Sequence, residues 1–179
     1  MRDDSDSPTL FGKKKVRVLG PREDWAYIPL SICLLLGILV SFWDFYYIQG
    51  AIFQTFFVLV GGSLFIVGVI FYLLVIFSLN KAAMGDIMTI KILQIAEGQH
   101  LVTDGYYKHI RHPAYLGVVL WVSGLPIACS SLYGFSVMVM ALLFLNLRIR
   151  IEEKMLIDAF GEEYKEYQKR TKKLIPFLY

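Results

Sequence analysis

The chain has 179 residues, 56% hydrophobic and 18% charged, with a mean hydropathy of +0.55. Soluble domains carry roughly a quarter charged residues, so this composition excludes an ordinary soluble fold and points to an integral membrane protein. The net charge of +3 is modest; it suits an anionic bilayer surface, and no aromatic platform interleaves the basic residues as a single-strand nucleic-acid binder would need.

Residues 1–24 are polar, carry a Lys13–Lys15 run and read as a frayed cytosolic arm. Ala26–Ile48 is apolar with one charge, Asp44, and Ala51–Leu79 has none. About 20 residues cross the hydrocarbon core, so residues 25–80 are predicted to form a first transmembrane hairpin. The second block exceeds that length and should tilt or project from the bilayer. The first is too long for a cleavable signal and precedes no cleavage site. Gly61, Gly62 and Gly68 read as close helix packing rather than a nucleotide loop. No Gly-x-Gly-x-x-Gly follows a strand, so a Rossmann-type domain is not expected. Asp44, beside Trp43, Tyr46 and Tyr47, reads as part of an interfacial aromatic belt.

Residues 81–112 are the long polar connection. TIKILQI within it alternates weakly, which allows a short strand or hairpin, and Glu97-Gly98 and Asp104-Gly105 are turn signals. Pro113–Cys129 and Leu132–Leu147 are uncharged, and Ser130, Ser131, Tyr133 and Gly134 make a turn between them, so 113–147 is a second hairpin. Cys33 and Cys129 fall at opposite ends of the helices and are read as small apolar residues, too far apart to bridge. Residues 148–179 follow. Ile151, Met155, Leu156, Ala159 and Phe160 extend a helical stripe, and Tyr164 and Tyr167 beside lysines suit an interfacial position.

The 18 basic residues fix an orientation: six precede the first block, four lie between the second and third, and eight follow the fourth. The connections near Gln49–Gly50 and Ser130–Ser131 have none. The positive-inside rule then places both termini and the long loop in the cytoplasm.

The ionisable residues crowd into YYKHIRHPAYLG, 106–117. A metal site is disfavoured: His109 and His112 are three apart, but Pro113 pushes His112 out of helical geometry and no cysteine lies nearby. A helix start explains Pro113, whose missing N–H costs nothing in the first turn, but leaves Tyr106, Tyr107 and Tyr115 unexplained. Arg148 and Glu152 are four apart on one helix face, where they could form a surface pair of little value or serve a site.

LVTDGYYKHIRHPAYLG and RIRIEEKMLIDAFGEEYKEYQKRTKKLIPF together resemble the isoprenylcysteine carboxyl methyltransferases and their prokaryotic relatives. The likeness runs from about Ile92 to Phe177. Its motifs are Leu-Val-x-x-Gly-x-Tyr, Arg-His-Pro-x-Tyr-x-Gly, Arg-x-x-x-Glu-Glu and Phe-Gly-x-x-Tyr-x-x-Tyr, with a terminal Pro-Phe. The resemblance implies an all-α integral membrane enzyme of about four transmembrane helices that uses S-adenosylmethionine and has no metal. The cofactor pocket would be formed by the 81–112 loop and the C-terminal helix. It would be bordered by Gln99, His100, Leu101, Val102, Tyr107, His112, Pro113, Tyr115 and Glu152. Arg148 would face the acceptor, and Arg148 and Glu152 would be the catalytic pair. The acceptor implied is a prenylcysteine-like carboxylate on a lipid, small molecule or peptide, reached from the bilayer and methylated in line. The alternatives are a phospholipid amine methyltransferase, with Glu152 or Glu153 as base, a membrane NADPH-dependent sterol-type reductase, and a non-catalytic adaptor.

Overall fold

The structure, a computed structural model, describes residues 16–18, 24–47, 54–82, 94–96 and 101–175. It is helical: α1 Tyr27–Tyr47, α2 Gln54–Ala82, α3 Pro113–Ala128, α4 Leu132–Phe160 and α5 Glu162–Arg170, with a 3-10 turn at Gly105–Lys108. Two three-residue strands, β1 Val16–Val18 and β2 Gln94–Ala96, pair antiparallel, with Arg17 opposite Ile95. Part of the arm expected to fray is therefore tied to the connection after α2, and the strand expected in TIKILQI falls at its end.

Among the described residues, three helices are long and apolar enough to cross a membrane, and α3 is a shorter apolar helix. At ~1.5 Å per residue, the 16 residues of α3 span ~24 Å. Outward faces carry large apolar side chains: Leu59, Phe77 and Leu143 are exposed. A bilayer covers such side chains without cost, because lipid tails are as apolar as they are. The chain is an integral membrane protein.

The packing runs across the order of the chain. α1 lies mainly against α4 and α2 against α3, with a lesser contact between α3 and α4. Leu30, Val122, Met138, Ala141, Leu145 and Ile149, from α1, α3 and α4, form the core cluster. Glycines let α2 and α3 approach closely. A Cβ on Gly124 would stand 2.5 Å from the Phe65 nitrogen and 2.6 Å from the Gly61 oxygen; one on Gly117 would stand 2.8 Å from Tyr72 Cβ. Gly61 and Gly68 on one helix, and Gly117 and Gly124 on the other, are each seven residues apart, which keeps them on one face. Gly62 departs from the sequence expectation: a Cβ there would meet nothing within 4 Å.

At the far end, Ser130 takes a positive φ of 52° and the Ser131 hydroxyl caps α4 by accepting from the Gly134 N–H at 2.9 Å. Asp44 departs from the belt reading. It is turned inward, 3% exposed, while Trp43, Tyr46 and Tyr47 are exposed around it. Cys33 and Cys129 are free thiols.

Gly124→Leu is expected to force α2 from α3 and destabilise the fold by about 3 kcal/mol. Gly62→Leu should leave the thermal midpoint in detergent unchanged. Equal losses in both would contradict the packing role assigned to the glycine face.

Candidate functional site

The site grows from the junction between the loop and α3. Pro113 is the first residue of α3 and holds His112 at φ −123°, ψ 59°, outside the helical region. His112 is thus fixed at the helix mouth, 4% exposed. Tyr115, on the first turn of α3, stacks on it with ring centroids 5.7 Å apart. The Tyr115 hydroxyl donates to Glu152 Oε2 at 2.8 Å. The other Glu152 oxygen lies 3.9 Å from His112 Nδ1. His112, Tyr115 and Glu152, 40 residues apart in the chain at the extremes, therefore converge as one group.

A second carboxylate holds this group in place. Glu153 Oε1 lies 3.4 Å from His112 Nε2 and accepts from Arg111 Nε at 2.8 Å. Arg111 Nη1 also donates to the carbonyls of Gln168, at 3.1 Å, and Thr171, at 2.5 Å, at the end of α5. A cation at a helix C-terminus satisfies its last carbonyls and complements the helix dipole. One guanidinium therefore joins the loop, α4 and α5. The backbone adds to the clamp: the Arg111 N–H donates to Lys172 O at 2.8 Å, and the Lys172 N–H donates to His109 O at 3.0 Å.

The apolar part of α4 ends at Leu147, so Glu153 lies beyond the membrane-spanning part. Burial opposes its ionisation, but the His112 ring 3.4 Å away and the hydrogen bond and charge of Arg111 outweigh burial and hold its pKa at about 2. Burial pushes the hydroxyl of Tyr167 up to about 12. Burial likewise raises Tyr107, helped by the nearby Glu152 charge.

Tyr164 and Tyr167 depart from the interfacial expectation. They are 1% and 3% exposed, and the Tyr167 hydroxyl donates to the Tyr107 carbonyl at 2.6 Å. α5 thus turns its tyrosines onto the loop and its charges outward. Tyr107, in the 3-10 turn, is half-buried, as are Leu101 and Val102 just before it. Gln99 and His100 lie outside the described residues. Pro113 is buried at the helix start. His109 is exposed while His112 is buried, so the two do not converge on one point.

Arg148 lies one turn before Glu152 on α4 and is buried. Its Nη2 is 3.1 Å from Asp24 Oδ2, and its guanidinium sits 4.7 Å from the centroid of the Tyr27 ring. Asp24, the residue that sequence reading passed over, stands just before α1 and is 6% exposed. Its only sequence signal was an acidic residue at the edge of a basic arm, beside the start of the first apolar block. Arg111 is given no role by the sequence reading and Glu153 only that of an alternative base; adjacency to His112 and Glu152 was the available hint.

These features define a helical membrane protein with a polar cluster where α3, α4 and a carboxyl-terminal clamp meet. The sequence model of the isoprenylcysteine carboxyl methyltransferase (ICMT) family matches residues 57–158, and the chain belongs to that family. The protein-S-isoprenylcysteine O-methyltransferase of Homo sapiens is 40% identical over 79 residues, covering 44% of this chain and 28% of that one. Methanethiol S-methyltransferase 1 of Bradyrhizobium diazoefficiens is 37% identical over 71 residues, covering 40% of this chain and 24% of that one. The solved structure of the eukaryotic intramembrane Ras methyltransferase ICMT superposes with a TM-score of 0.66 at 25% identity, covering 83% of this chain and 52% of that one. The chain therefore matches under a third of these curated relatives' length and about half of the solved structure's.

Glu153 supplies a test of the clamp. Its pKa is depressed from 4.5 to about 2 in the fold. Its stabilisation is then present above the unfolded value and lost as pH falls towards the folded one; the full shift is worth about 3 kcal/mol. Glu153→Gln should melt lower than wild type at neutral pH, and the gap should close as pH falls from about 5 to about 2. A gap that does not change with pH would contradict the ionised clamp.

Proposed function

We propose that this chain is an S-adenosylmethionine-dependent methyltransferase that esterifies a carboxylate on a lipid-linked, prenylcysteine-like acceptor. The convergence of His112, Tyr115 and Glu152 beside a buried Arg148 carries the reading. Family membership supports the methyl donor, and the donor set fits it. Glu152 is partly exposed and keeps one oxygen 3.9 Å from His112 Nδ1, which leaves it able to meet an ammonium or ribose hydroxyls. His112 and loop N–H groups offer donors for a carboxylate, and Leu101, Tyr107 and Tyr115 offer apolar surface for adenine. On this reading Gln99, His100, Val102 and Pro113 complete the border.

When bound, the cofactor would supply an electrophilic methyl group on a sulfonium. Arg148 would hold the acceptor carboxylate through two parallel N–H donors, a geometry that a guanidinium matches and an ammonium does not. A carboxylate is already ionised at neutral pH, so no general base is required. With the cofactor held by His112, Tyr115 and Glu152, the acceptor oxygen on Arg148 would be placed to take that methyl group, whose bonding electron pair would remain on sulfur. The chain's contribution is alignment and exclusion of water. Tyr115 orients Glu152, and the Arg111–Glu153 clamp keeps the pocket wall from moving. Both termini and the pocket would face the cytoplasm, by the distribution of basic residues. The acceptor's apolar tail would arrive through the bilayer.

A second reading is methylation of a thiol, favoured by the similarity to methanethiol S-methyltransferase 1 and by the negative charge of Asp24 already beside Arg148. An assay with radiolabelled S-adenosylmethionine separates the two. S-farnesyl-N-acetylcysteine should be esterified, and Arg148→Lys should lower kcat/KM at least about a hundredfold, the scale of losing a bidentate anchor at the reacting group. Methylation of methanethiol but not of the prenylated acid would overturn the carboxylate reading.

A further inference from the structure

We infer that Asp24 is a stand-in for the acceptor's carboxylate: it occupies Arg148 until an acid arrives and is displaced by it. The inference rests on the carboxylate reading above. Four observations lead to it. First, the partner of Arg148 is a carboxylate from the chain itself, Oδ2 lying 3.1 Å from Nη2. The group proposed to bind there is the same functional group.

Second, the contact is close but poorly formed. Among the described residues, neither Asp24 oxygen has a hydrogen-bond partner of good geometry, although both are shielded from water. A buried carboxylate with unsatisfied oxygens is costly, and burying an ion pair gains little unless its remaining lone pairs are met. A carboxylate offering two oxygens to the guanidinium fork would hold better. Third, Arg148 has a contact besides its carboxylate partner, the Tyr27 ring 4.7 Å away. It need not be rebuilt when the partner changes. Fourth, Asp24 stands in the short turn before α1 rather than within the helix, with its backbone carbonyl accepting from Tyr27 N–H at 3.1 Å. A side chain there can swing out without unwinding a span.

The electrostatics point the same way. Burial raises the Asp24 pKa, Arg148 opposes that, and the Glu152 charge adds to it. The groups that act on Asp24 are thus Arg148 and Glu152, with Tyr115 on α3 feeling its charge in turn. The anion is held less firmly than its close contact suggests. Replacing it with another carboxylate leaves the local charge unchanged, whereas a neutral lipid cannot make the exchange. The device therefore keeps Arg148 neutralised between turnovers and favours acids over neutral molecules with the same tail.

The test compares the acid with its methyl ester. Affinities of S-farnesyl-N-acetylcysteine and of its methyl ester are measured for wild type and Asp24→Asn in detergent, with S-adenosylhomocysteine present. The acid should bind the variant about tenfold more tightly, the scale of one displaced charged contact, while the ester binds both alike. If the acid binds no better, or acid and ester shift together, Asp24 is not a stand-in. Thermal stability gives a second readout, useful even if the variant folds less well: the acid, and not the ester, should restore the midpoint lost in Asp24→Asn. Equal rescue by both would overturn the inference. If wild type itself binds neither molecule, the carboxylate reading fails and takes this inference with it; if wild type binds the acid and only the gain is missing, the inference alone falls.

Discussion

The organising contact of this protein is the Arg111 guanidinium. It donates to Glu153 on α4 and to the last carbonyls of α5 at once. Its own backbone is tied to Lys172. Without it, the segment carrying His112 would be held to the helix carrying Glu152 mainly by the Tyr115–Glu152 hydrogen bond and helix packing. With it, three pieces distant in sequence become one wall. Such networks are consequential in a shielded setting, because a half-satisfied buried charge costs more than a fully paired one gains. Pro113 does the complementary work along the chain, converting a loop into a helix at a fixed angle and leaving His112 at the mouth.

The membrane helices serve this wall. Glycines bring α2 and α3 close enough for ring contacts such as Phe65 with Trp121, and Phe71 in the carboxyl-terminal half of α2 meets Tyr106 edge-on at 5.6 Å. α1 packs on α4 and so carries Asp24 to Arg148. The helices that cross-pair are thus the ones that deliver site residues. Arg148, Glu152 and Glu153 follow the uncharged stretch of α4 that ends at Leu147, which spares the charged groups the bilayer centre, where they are most expensive.

The spans were legible because apolar blocks of the right length need no tertiary information, and the start of α3 was legible because proline restricts the residue before it. His112, Tyr115 and Glu152 could be grouped from the ordered motifs they sit in. What was not legible depended on contacts between distant segments. Asp24, in the turn before α1, and Arg148, on α4, lie on segments that no local pattern pairs. Tyr164 and Tyr167 have the composition of an interfacial helix, but the loop over α5 covers their face. Asp44 sits among belt aromatics and turns away from them. Val16–Val18 is too short for alternation to declare a strand, and its partner lies beyond the first two spans. Gly62 and Gly61 are identical in type and adjacent, and only the helix face tells them apart.

The most direct measurement is calorimetric binding of S-adenosylhomocysteine to the detergent-purified protein, with Glu152→Gln and Tyr115→Phe alongside. Micromolar binding by wild type is expected, weakened roughly a hundredfold by Glu152→Gln and about tenfold by Tyr115→Phe, the scale of a lost charged partner and of a lost hydrogen bond. Wild-type binding left unchanged in both variants would contradict a cofactor site built on Glu152, and a folded wild-type sample that binds NADPH instead would contradict the methyltransferase reading.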